Sequence, residues 1–298
     1  MYNKFYGFSE TPFNLTPNSR FFFASNKHTE ALSTLIYAIE GRKGFVVITG
    51  EIGSGKTTVC RTLLGQLNSK TQTALITNTH LSSKDLLSTI LEDLEIEHKP
   101  GSKAKLLSQL NNYLIEQLRL DQNVVLIIDE AQNLSPSVLE EVRMLSNLET
   151  ENEKLIQIIF LGQPELKKKL SLPRLEQLRQ RISVFFHISP LSREDAKAYI
   201  LHRLRIASGT NTEFFTEEAL DAVYEFSRGT PRLINQICDS ALLTGYTEDT
   251  KVIDRKIIEE VVQESPTIQI LGIKHRRDDL EISIPETTKD LPTNWDIS

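Results

Sequence analysis

The run Gly50-Glu51-Ile52-Gly53-Ser54-Gly55-Lys56-Thr57 constrains this chain more than any other feature. It fits G-x-x-x-x-G-K-[ST] and lies between an apolar, β-rich run at 45–49 and a helical pattern that begins near Lys56. Each residue type has a physical reason. Glycines let the backbone wrap until successive N–H groups converge on phosphate oxygens. The helix N-terminus that follows adds partial positive charge. Lys56 can reach the β and γ phosphates, the Thr57 hydroxyl can ligate Mg²⁺, and Thr58 is counted with the loop. The expected ligand is ATP or a closely related nucleotide with Mg²⁺. The competing reading is a chance Gly-rich turn between a strand and a helix.

The surrounding pattern gives that loop a fold to sit in. Short β-rich apolar runs at 45–49, 74–77, 124–128, 156–161 and 184–188 each read as a strand buried on both faces. Helical patterns lie between them, near 56–68, 83–94, 103–119, 135–148 and 165–170. Strands alternating with helices predict an α/β domain, a parallel sheet covered on both sides. After Pro190 the strand signals stop, and four helical patterns follow, opening at Ser192, Thr216, Pro231 and near residue 254. The chain is therefore divided into an α/β nucleotide-binding domain with an N-terminal arm (1–190), a helical lid (191–265) and a flexible tail (266–298). The arm, rich in Phe, Pro and Asn, is read as irregular and pinned by its aromatics.

Composition narrows the function classes. Of 298 residues 39% are apolar and 25% charged, an ordinary globular balance. A net charge of −6 leans against a dedicated nucleic-acid binder, although a local basic strip remains compatible with it. Cys60 and Cys238 belong to no Cys/His cluster and are read as buried thiols. The N-terminus lacks the apolar stretch of a signal peptide, and the longest apolar runs fall far short of the ~20 residues of a membrane helix. A soluble cytoplasmic location is expected.

A second acidic motif turns binding towards hydrolysis. Val124-Val125-Leu126-Ile127-Ile128 ends in Asp129-Glu130. An Asp at a strand's C-terminal end lies where ligands bind in open α/β sheets, so Asp129 can hold Mg²⁺ through water. Glu130 is placed to polarise an attacking water as general base. Alternatively, both acids favour the start of the next helix.

The stretch Asp129-Glu130-Ala131-Gln132-Asn133-Leu134-Ser135 closely resembles the signature of the ExeA, or general secretion pathway protein A, group of AAA+ ATPases. Tyr6-Gly7-Phe8, Leu15-Thr16-Pro17, Gly162-Gln163-Pro164-Glu165-Leu166, Gln177-Leu178-Arg179-Gln180-Arg181-Ile182 and Pro231-Arg232-Leu233-Ile234-Asn235 carry the resemblance to about residue 246. It implies a five-stranded AAA+ P-loop core, a helical lid, and ring-like or filament-like homo-oligomers with ATP sites at subunit interfaces. It further implies that Gln163 is a sensor near the γ-phosphate and that Arg232 reaches the nucleotide from the lid. Arg179 or Arg181 would be the arginine finger for a neighbouring subunit, with the choice between them open.

Longer members of that group carry a membrane span and a peptidoglycan-binding domain, which this sequence lacks. Its length suits the shorter relatives that resemble ATPases of MSHA-type pilus biogenesis or of exopolysaccharide and PEP-CTERM export. The leading expectation is thus an ATPase serving envelope secretion or assembly proteins, without a transmembrane segment and peripheral at the inner membrane. The alternative is a DNA-acting regulator of the TniB or TnsC kind, which the acidic charge disfavours.

Overall fold

The structure is a computed structural model that describes residues 2–16, 18–99, 101–150, 153–209 and 212–265. The expected flexible tail at 266–298 lies outside the described residues. Five strands form one sheet: β1 (Phe45–Gly50), β2 (Thr71–Ile76), β3 (Asn123–Ile128), β4 (Gln157–Gly162) and β5 (Ile182–Ile188). All are parallel, in the order β2-β3-β4-β1-β5.

Alternate residues of a strand point to opposite faces, so a continuously apolar strand needs cover on both. In β1, Phe45 and Val47 face one core, whereas Val46 and Ile48 face the other. The first core is closed by α4 (Ser83–Asp93), α5 (Lys103–Arg119), α6 (Pro136–Leu145), α7 (Pro164–Leu170) and α8 (Glu176–Gln180). The second is closed by α2 (Asn26–Glu40) and α3 (Lys56–Gln66). Phe160 and Phe45, both fully buried, pack with ring centroids 5.6 Å apart in the first core. Each such side chain contributes about 1.5–3 kcal/mol by leaving water.

One expectation needs correction. The central strands β1, β3 and β4 are buried on both faces, but the two edge strands are not. In β5 burial alternates, and Phe185 remains 43% exposed. An apolar run reads alike at a sheet's centre and at its edge.

Beyond the sheet lie α9 (Arg193–Ser208), α10 (Glu217–Ser227), α11 (Pro231–Thr247) and α12 (Arg255–Glu264), each at the position its sequence pattern marks. They enclose a third core, which also takes in the start of the chain. The arm is not wholly irregular, because it opens with the short helix α1 (Tyr2–Tyr6). Its first aromatics pin it to the lid: Tyr2, Tyr6, Phe8 and Phe13 pack among the lid helices. Phe8 meets Phe214 edge to face at 4.8 Å, and the Ser9 N–H donates to the Ala207 carbonyl at 2.8 Å. The chain therefore begins in the lid, crosses to the sheet, and returns. Cys60 and Cys238 are both buried and free.

Candidate functional site

The sheet order assembles the site. β1 ends in the glycine loop, β3 ends in Asp129 and Glu130, and β4 ends in Gln163. Because β4 lies between β1 and β3, Gln163 emerges between the loop and the acids.

Two glycines are required by geometry. Gly53 has φ +78° and Gly55 φ +98°, values that L side chains rarely adopt. A Cβ on Gly53 would lie 2.5 Å from Arg232 Cβ, and one on Gly55 would lie 2.6 Å from His28 Nε2. Loop, lid and α2 thus meet closely here.

Helix ends add positive potential. Seven of the described helices of ten or more residues have a Ser, Thr or Asp side chain capping their first turn: α2, α4, α5, α6, α9, α10 and α12. The two others, α3 and α11, have none. Both start beside the same cleft, which Gly55 and Pro231 help to line. Uncapped N–H groups and the positive dipole end are the elements of an anion site.

The cleft has a volume of about 330 Å³. From the sheet side it is lined by Ile52, Gly53, Gly55, Lys56, Thr57 and Thr58, together with Glu130 and Gln163. Lys56 is 5% exposed, and its Nζ donates to the carbonyls of Gly50 at 2.8 Å and Glu51 at 3.0 Å. Burial lowers its pKa, while Glu130 and Asp129 pull the other way. Thr57 Oγ1 donates to Asp129 Oδ2 at 3.0 Å, which ties the loop to the end of β3. This pair offers hard oxygen donors of the kind Mg²⁺ accepts alongside water and phosphate. Among the described residues no cluster of three or more His, Cys, Asp or Glu could cage a metal by itself.

Glu130 adopts φ 52°, a left-handed backbone that costs a non-glycine residue on the order of 1–3 kcal/mol. Its Oε2 accepts from Gln163 Nε2 at 3.0 Å and from Gln132 Nε2 at 2.5 Å. The acid is thereby held at the cleft by two carboxamides.

The lid closes the opposite wall. Tyr199 and Arg203 of α9 line the cleft, as do Arg232 and Asn235 of α11. Arg232 is exposed, and its backbone N–H donates to the Gly53 carbonyl at 3.3 Å. Arg203 is only 6% exposed and has no carboxylate partner among the described residues. Its guanidinium donates to the carbonyls of Pro12 (2.6 Å) and Asn14 (3.2 Å) and to Tyr199 Oη (2.8 Å), and lies 4.7 Å over the Phe21 ring. Phe21, Phe22 and Phe23 all border the cleft.

His28 lines the cleft from α2 and supports the loop there. Its Nδ1 lies 2.6 Å from Ser25 Oγ and its Nε2 2.9 Å from the Ser54 carbonyl. A carbonyl only accepts, so Nε2 carries the proton and Nδ1 accepts from the Ser25 hydroxyl. Burial lowers the His28 pKa below its ordinary 6.5, more than the Ser54 hydrogen bond raises it. Burial likewise lowers His187 and His202. Above pH 6.5 these rings are neutral folded or unfolded, so nothing is lost. As pH falls below 6.5 the unfolded chain takes up protons that the folded chain resists, and stability drops. The carboxyls lowered by their partners, Asp85, Asp121 and Asp221, act only below 3.8. Thermal unfolding followed from pH 7.5 to 5 should therefore show a falling Tm, and a shallower fall in His28→Gln.

Some expected site residues lie elsewhere. Gly50, Glu51 and Ser54 support the loop without lining the cleft, and Asp129 sits behind Thr57. Arg179 and Arg181 do not line it either. Arg179 is exposed, with Nη1 3.4 Å from the Ser171 carbonyl, and Arg181 Nη1 donates to Ser146 Oγ at 2.6 Å. The run Lys167–Lys169 is only partly a solvated face: Lys169 Nζ donates to the carbonyls of Gln132 and Leu134. Sequence reasoning missed Tyr199 and Arg203, which look like ordinary helix residues, and gave Asn235 no role although it ends the Pro231–Asn235 motif. It assigned no role to Gln132, although that residue lies inside the Asp129–Ser135 signature.

A family model described as "AAA domain" matches residues 39–170. General secretion pathway protein A of Aeromonas hydrophila is 44% identical over 247 residues, which are 83% of this chain and 45% of that protein. The chain thus spans less than half of that relative. Among solved structures, Cdc6p from Pyrobaculum aerophilum superposes with a TM-score of 0.64 at 18% identity, covering 83% of this chain and 70% of that one. The Aeropyrum pernix ORC1 protein in complex with DNA gives 0.61 at 16% identity, covering 94% and 84%. At such identities the likeness shows the fold alone.

Proposed function

The chain belongs to the AAA+ P-loop proteins of the general secretion pathway protein A group, and from that premise we propose that it is a Mg²⁺-dependent ATPase. The observation that carries this reading is the convergence of Lys56, Thr57 and Glu130 on one cleft, with Asp129 bonded behind Thr57. Phosphates seated at the loop would meet the N-terminus of α3 and the Lys56 ammonium. Bound Mg²⁺, held through Thr57 and Asp129, would supply charge neutralisation to the phosphate oxygens. Glu130, anchored through Oε2, presents a carboxylate to the cleft and would accept a proton from the attacking water. Gln163 keeps that carboxylate in place, and Arg232 offers a cation from the lid. Arg179 and Arg181 lie outside this chain's own cleft, which supports a role for one of them in a neighbouring copy's site and hence a homo-oligomer.

Turnover would serve a cell-envelope secretion, pilus or exopolysaccharide assembly system, at the cytoplasmic side of the inner membrane. The 44% identity to general secretion pathway protein A supports this assignment. Among the described residues no helix is long and apolar enough to cross a membrane. Phosphate release from Mg²⁺-ATP should proceed steadily and stop when EDTA removes the metal. A rate no faster than that of Lys56→Ala, even with candidate envelope partners added, would refute the proposal.

A further inference from the structure

We infer that Gln132 is the positioning residue that aims Glu130, an inference that rests on the ATPase reading of this cleft. Gln132 is 9% exposed, and both ends of its carboxamide are committed. Nε2 donates to Glu130 Oε2 at 2.5 Å, and Oε1 accepts from the Gln163 backbone N–H at 3.0 Å. The orientation is dictated by chemistry. An N–H can only donate and an ionised carboxylate only accept, so a flipped carboxamide would face a donor with a donor and an acceptor with an acceptor. One side chain therefore links the base at the end of β3 to the backbone at the end of β4.

The surroundings hold Gln132 as firmly as it holds Glu130. Lys169 Nζ donates to the carbonyls of Gln132 and Leu134, closing the 3₁₀ turn Ala131–Asn133 from outside. Gly162 leaves the room the carboxamide occupies, since a Cβ there would lie 2.9 Å from Gln132 Oε1. Gln163 Nε2 adds the second donor to Glu130 Oε2. With Oε2 doubly engaged, the other carboxylate oxygen is left for a water in the cleft. Glutamine suits this position because it supplies a donor and an acceptor on one rigid plane. Glutamate would lose the donor and set a second carboxylate against Glu130, and leucine would lose both ends.

The test compares wild type, Gln132→Leu and Gln132→Glu for ATP turnover, with Tm measured alongside. Both variants should lose kcat by about ten- to a hundred-fold, the scale of a misplaced catalytic group. KM for ATP should stay within about twofold, since uniform binding is untouched. Wild-type kcat in Gln132→Leu, or a loss carried by KM, would overturn the inference. If Gln132→Leu melts early, the Glu variant decides. If wild type itself turns over no faster than Lys56→Ala, the ATPase reading fails separately. The crystal structure of Gln132→Leu then decides: Glu130 displaced from Gln163 Nε2 supports the positioning role, and Glu130 unmoved refutes it.

Discussion

Replacing Glu130 by Gln is expected to lower kcat for ATP by roughly 10²- to 10⁴-fold while leaving ATP affinity nearly unchanged, the range spanned by loss of a general base. The substitution is close to isosteric and keeps the anchoring. The amide oxygen can still accept from Gln132 Nε2 and Gln163 Nε2, and the amide nitrogen replaces the free carboxylate oxygen. What disappears is the ability to take a proton. The backbone strain at φ 52° is the same in both proteins, so the fold should not distinguish them. Single-turnover phosphate release, measured beside equilibrium binding of a fluorescent ATP analogue, separates the two effects. A variant that binds ATP normally and hydrolyses it at the wild-type rate would remove Glu130 from the chemistry.

The second large effect concerns stability. Arg203→Ala should cost about 3–5 kcal/mol, because hydrogen bonds to a charged group contribute about 1.5–3 kcal/mol each and a desolvated cation–π contact about 2. The estimate lies below the sum of those contributions, since burying a guanidinium is itself expensive. The substitution leaves the Pro12 and Asn14 carbonyls without their donor and uncovers the Phe21 ring. A fall in Tm on the order of 10 °C is expected by calorimetry for that loss. The same guanidinium borders the cleft, so the variant should also gain less Tm from added ATP than wild type does. A Tm within about 2 °C of wild type would show that Arg203 does not hold the arm to the lid.

The two residues differ in how far the sequence announces them. Glu130 follows an apolar strand and an Asp, a local pattern tied to one place in an α/β sheet. Arg203 is one of several charges on a helix, and nothing nearby marks it as the buried one. Its partners Pro12 and Asn14 lie about 190 positions away, a pairing that only folding makes. Gln132 stands between these cases. It falls within a signature legible in the sequence, but its function depends on a backbone N–H at residue 163. Phe21–Phe23 are visible as an aromatic run, whereas tertiary packing decides their place at the cleft: Phe21 and Phe23 meet Arg203 and Tyr199 of the lid, and Phe22 packs on the sheet side against His28.

The DNA-acting alternative gains no support of its own from the DNA-bound solved structure, because the likeness there is one of fold.

Residue order alone is enough for the local pieces: the glycine loop with Lys56 and Thr57, the strand that delivers Asp129 and Glu130, the α/β alternation and the four lid helices. Each is written in short-range patterns of residue type, dihedral preference and hydrophobic period, which need no distant partner. Tertiary structure alone decided that β4 lies between β1 and β3, which places Gln163 and the Gln132 carboxamide at the base. It also decided that the chain's first aromatics belong to the lid and that a buried arginine ties them to the cleft. Those outcomes follow from which apolar faces and unpaired donors find each other in space, and residues far apart in the chain supply both sides.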